Sequence, residues 1–82
     1  MPPATVAIVI ATPSGLRHLA SPSERAAAGP AEAILRALGT EVRGASFWVQ
    51  CADPAARARL TSYLWDVKAE VLAEGLAEGR SP

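Results

Sequence analysis

An unbroken apolar run, Thr5–Thr12 (TVAIVIAT), constrains this chain more than any other stretch. It is rich in β-branched residues and lies between Pro3 and Pro13, so it predicts a strand. Eight residues suit a sheet but not a bilayer, which needs about 20. A strand apolar at consecutive positions is as a rule covered on both faces. The rest of the chain must supply those covers.

The chain has 82 residues, enough for one small α/β (α+β) domain over 1–82, with 1–4 and 79–82 expected to be mobile. Half of the residues are hydrophobic, but many are alanine, which buries little area. A core this thin is marginal against the entropy of ordering the chain, and small domains answer with disulfides, a metal or a partner chain. Cys51 is the single cysteine and His18 the single histidine, so one chain has no internal disulfide and no multi-histidine zinc site. No cofactor and no metal are expected, and a partner chain is what remains. Net charge is zero, which argues against a nucleic-acid partner. The start, Met1-Pro2-Pro3, lacks the basic region of a signal peptide, so no membrane association and a cytoplasmic location are expected.

After the first strand, Thr12-Pro13-Ser14-Gly15 reads as a turn, and Leu16–Ala20 as one helical turn or an ordered loop. Ser21-Pro22-Ser23-Glu24 has the order of a capping box, predicting a helix from Pro22 with Ile34, Leu35 and Leu38 as its buried stripe and Gly39 as its stop. Gly29-Pro30 favours a break or kink within it, as either one kinked helix over 22–38 or a short helix over 22–28 followed by a second from Pro30. Glu41–Gln50 predicts the second strand, in which Ala45, Phe47 and Val49 alternate with Ser46, Trp48 and Gln50. Asp53-Pro54 opens a long helix to about Glu78. Its seam is Leu60, Leu64, Val67 and Val71, broadened by Tyr63, Trp65, Leu72 and Leu76. The expected order is therefore a two-layer β-α-β-α domain whose two strands, joined through a helix, run parallel. Two strands alone do not make a stable sheet, so oligomerisation is expected to complete it.

Candidate chemistry is sparse. Thr12, Ser14, Arg17 and His18 follow the first strand and could together hold an anionic or aromatic ligand, or form a plain polar turn. One glycine there is not a phosphate loop. Cys51, near the start of the long helix, is either a packed structural thiol or a nucleophile paired with His18. Trp48, Leu60, Leu64, Trp65, Val67 and Val71 are the candidate interface, because together they exceed what one small sheet needs.

Gly15-Leu16-Arg17, then Ser21-Pro22 with Arg25 and an alanine-rich helix, Leu38-Gly39, Val42, Gly44 and Phe47-Trp48 resemble the small bacterial GYD-domain proteins over residues 15–49. The resemblance implies a fold that is ferredoxin-like in part and assembles through its sheet into dimers or larger oligomers. It implies no defined activity, and the Gly-Tyr-Asp triplet itself is absent.

Two functions of different class follow as expectations. The first is a non-catalytic oligomerisation or protein-interaction module, a homo-oligomer with the dimer foremost. The alternative is a dimeric protein that binds a small anionic or aromatic ligand beside Thr12, Ser14, Arg17 and His18.

Overall fold

The computed structural model describes residues 6–79. The expected mobile ends at 1–4 and 80–82 lie outside them, whereas Gly79 is the last residue of a helix. Three strands and two helices form a small two-layer α+β domain: β1 (Val6–Thr12), β2 (Gly15–Ser21), α1 (Glu24–Leu38), β3 (Ser46–Gln50) and α2 (Pro54–Gly79). A single 3-10 segment, Gly39–Gly44, joins α1 to β3.

The sheet order is β2-β1-β3, and β1 is antiparallel to both neighbours. This corrects the parallel pairing expected from the sequence. The stretch expected to be a helical turn or loop is β2, and its hairpin reverses the chain before α1 begins. The strands joined through α1 are therefore β2 and β3, which run parallel to each other with β1 seated between them. Pro13 and Ser14 form the hairpin tip. Proline holds φ near −65°, unlike the left-handed residues that two-residue hairpins prefer, and Gly15 absorbs the mismatch at φ +139. Pro13 also packs beside Gly44, where an added Cβ would lie 3.2 Å from the ring Cγ.

Ser21 belongs to β2, paired with Val6, so it is not the helix cap. Ser23 is: its side chain accepts from the Ala26 amide at 3.1 Å, and the helix starts at Glu24 rather than Pro22. α1 runs unbroken through Pro30, which excludes the reading of two helices parted at Gly29 and keeps that of a single helix. Pro30 and Ala26, four residues before it, are both exposed, so the carbonyl left without its helical donor faces water. The buried stripe of α1 is Ala27, Ala31 and Leu35, with Ile34 and Leu38 half-buried beside it. Small alanines let the helix approach the sheet closely. Gly39 ends α1 at φ 58, its amide donating to the Arg36 carbonyl, as its position implied.

β3 is shorter than the expected Glu41–Gln50 strand because 41–44 lie in the 3-10 segment, which buries Val42. Asp53 caps α2: its carboxylate accepts from the Ala55 amide at 3.0 Å and its carbonyl from the Arg57 amide. Val6, Ile8 and Ile10 on β1, with Phe47 and Val49 on β3, meet Leu35, Leu60, Leu64, Val67 and Val71 in one core. Leu60, Leu64, Val67 and Val71 are thus 0–4% exposed and packed within their own chain, not left over for an interface. The third strand supplies the sheet width that the two-strand reading lacked.

Candidate interaction surface

Both helices lie on one face of the sheet, and side-chain alternation fixes what the other face shows. Directly paired residues of an antiparallel ladder share a face. Val9 pairs with His18 on one side and Trp48 on the other; Ala7 lies between Ala20 and Gln50, and Ala11 between Leu16 and Ser46. These three rows form the face that the described residues leave uncovered. None of the residues in them is Asp, Glu, Lys or Arg, although the chain has 8 basic and 8 acidic residues. Trp48 is 49% exposed there and Leu16 is 60% exposed. Of the residues expected at an interface, Trp48 and Trp65 are the ones the structure leaves exposed.

The expected ligand group does not converge. Arg17 pairs with Ile10 and so points to the helix side, while His18 pairs with Val9 and points to the open face. At the hairpin tip, Thr12 Oγ1 donates to the Gly15 carbonyl at 2.9 Å and accepts from the Ser14 amide at 3.2 Å. The Ser14 hydroxyl lies 3.3 Å from Thr12 Oγ1, so both side chains are engaged in closing their own turn. Cys51 is half-buried against the core, and His18 is exposed on the open face.

Several polar side chains of the helical layer join α1 to α2. Arg59 makes two bonds to the Glu24 carboxylate, at 2.9 and 3.2 Å. Tyr63 donates its hydroxyl to Glu32. Arg36 bonds Glu32 and Glu70, each at 2.8 Å, with Glu74 at 3.6 Å. The Arg59 guanidinium holds the Glu24 carboxyl below its ordinary value. The Tyr63 hydroxyl, then Arg36, does the same for Glu32, and the bond to Glu32 pushes the Tyr63 phenol up. A groove of about 610 Å³ lies between the helices, lined by Glu24, Arg25, Ala28, Arg59, Leu60 and Tyr63. Its Glu24 and Arg59 are paired with each other.

On the opposite flank of α2, Trp65 meets Phe47 with ring centroids 4.8 Å apart at 50°. Lys68 Nζ sits 4.9 Å from the centre of the Trp65 ring and donates to the Ala45 carbonyl at 2.7 Å. Trp65 nonetheless remains 50% exposed. Two half-exposed tryptophans thus bracket β3, Trp48 from the open face and Trp65 from the helix side. Alternation in Ala45–Gln50 made Trp48 legible from the sequence; the contact of Trp65 with β3 had no local signal.

Among the described residues there is no cluster of three or more His, Cys, Asp or Glu side chains able to hold a metal. No described helix is long and apolar enough to cross a membrane. No protein-family profile, curated protein or solved structure matches the chain. The fold and this surface define its class: a small two-layer α+β domain with an uncovered, uncharged sheet face.

Proposed function

We propose that the protein is a non-catalytic self-association module whose sheet binds another protein chain, a second copy in the first instance. The observation that carries this reading is the uncharged sheet face, with half-exposed Trp48 on its β3 edge. Antiparallel sheets tolerate water on one face, but that face is then normally polar. Among the described residues the charges are kept to the helical layer, the loops and the inward side of β2. An exposed apolar patch rimmed by polar residues is a mark of an interaction surface, a protein contact among them. The resemblance to GYD-domain proteins points the same way. So does the β2-α1-β3 crossover around β1, the split β-α-β unit of which ferredoxin-like sheets are made. A homodimer is the assembly this reading favours.

Light scattering on a sizing column tests it. The wild-type chain should run at a multiple of 8.5 kDa, and Trp48→Glu should reduce the mass to that of one chain while its far-ultraviolet circular dichroism stays unchanged. A folded wild-type monomer at every concentration sinks the proposal.

A further inference from the structure

We infer that the second copy joins edge to edge along β3, about a two-fold axis at Trp48, so that two three-stranded sheets become one continuous sheet. The inference rests on the self-association reading and places the contact at the β3 edge of the open face, where Trp48 lies, leaving the β1 and β2 part of that face exposed.

The two sheet edges are not equivalent. On β2, Arg17 points inward to the helix side, and an inward-facing charge is a recognised protection against edge pairing. β3, Ser-Phe-Trp-Val-Gln, carries no charge and no proline, and nothing in its sequence blocks a further strand. Its length is also self-complementary. With Trp48 opposite its symmetry mate, Phe47 falls opposite Val49 and Ser46 opposite Gln50. Apolar then meets apolar on the helix side, and polar meets polar on the open face. That symmetry is what an isologous contact between identical chains requires. An unrelated strand has no reason to match it.

The large exposed side chains gather at the same edge. Trp48 would pair with its mate across the axis on the open face. On the other side, Trp65 is held against Phe47 by the tilted ring contact and by Lys68, which is anchored on the Ala45 carbonyl. It would extend over the mate's Val49. Both half-exposed tryptophans lose water contact in one step, and the open backbone groups of β3 gain partners.

Cysteine cross-linking reads the register directly. Ser46→Cys and Gln50→Cys are made separately, each with Cys51→Ala, and oxidised alone and as a mixture. Directly opposed residues have Cα atoms about 4.5–5.5 Å apart, within disulfide range. Residue 46 and its own mate would be about 14 Å apart, and so would residue 50 and its mate. The expected result is covalent dimer in the mixture and almost none in either variant alone. Suppose instead the wild-type chain scatters as a dimer but the mixture cross-links no better than its components. The β3 register is then overturned while self-association stands. A wild-type monomer at every concentration overturns both.

Discussion

Trp65 and Phe47 meet with their ring centroids 4.8 Å apart, and through this contact the longest helix is fastened to the shortest strand. The contact faces two ways, completing the cover of Phe47 while leaving half of the indole in water. Removing the indole should therefore weaken the fold modestly. Trp65→Ala is expected to lower unfolding stability by about 1–2 kcal/mol, an aromatic pair plus partial burial. Urea melts of the two proteins at matched concentration check this.

The interior seam of α2 should respond more strongly. Leu64 is fully buried, and Leu64→Ala is expected to lose about 3 kcal/mol through lost burial and a residual cavity. A domain of this size holds only about 5 kcal/mol in total. Leu64→Asp should consequently unfold the chain rather than release a folded monomer. Circular dichroism at low temperature distinguishes the two, and a folded Leu64→Asp protein would contradict the core assignment.

Acid should loosen the join between the helices. Glu24 and Glu32 have carboxyls held below the ordinary value of 4.5, by Arg59 and by Tyr63 with Arg36 respectively. In the window between their lowered values and 4.5 the unfolded chain binds more protons than the folded one. The stability they contribute is thus complete above that ordinary value and is lost as pH falls through the lowered ones. Glu32→Gln should flatten the acid limb of the urea midpoint plotted against pH and, because it also removes the bond that raises the Tyr63 phenol, the limb above the ordinary tyrosine value of 10 as well.

Pro30 sits in the interior of α1 with its ring in solvent and forgoes one helical hydrogen bond. Pro30→Ala restores that donor toward Ala26 and removes a ring from the preceding turn, offset in part by a more flexible unfolded chain. The expected gain is about 2 kcal/mol, visible as a higher thermal midpoint. A lower midpoint would mean that the proline shapes α1 for its place on the sheet.

Gly15 occupies φ +139 with open space around its missing Cβ. Gly15→Ala should therefore destabilise through backbone strain alone, by about 1–2 kcal/mol. Hydrogen exchange should locate the loss in the β1–β2 hairpin.

The elements legible in the sequence are those whose signals are local. The consecutive β-branched residues of β1 announce a strand, and Asp53-Pro54 with the four- and three-residue spacing from Leu60 to Val71 announces α2. Alternation from Ala45 to Gln50 identified the buried Phe47 and Val49 and the outward Trp48. β2 was not legible. Gly-Leu-Arg-His-Leu-Ala-Ser has neither β-branched residues nor apolar alternation, because as an edge strand it takes its hydrogen bonds from β1 and buries little of its own surface.

Missing β2 displaced other inferences with it. Ser21 reads as a helix cap only while it is not paired with Val6. Leu60, Leu64, Val67 and Val71 look like surplus apolar surface only over a two-stranded sheet. Arg17 and His18 look like one ligand cluster only if the backbone between them is not extended. Once they sit in a strand, neighbouring side chains must point to opposite faces.

By itself, the sequence determined the two-layer mixture of strand and helix, the limits of α2, the turn at Pro13-Ser14, and the inward and outward faces of β3. Those follow from side-chain periodicity and from proline and glycine chemistry, which act within a few residues. The tertiary structure alone decided the antiparallel order β2-β1-β3, the unbroken course of α1 through Pro30, the ties between α1 and α2, and the gathering of Trp48 and Trp65 at one open edge. Each of these depends on which distant segments supply the backbone hydrogen bonds and cover the apolar faces, and no local pattern encodes that choice.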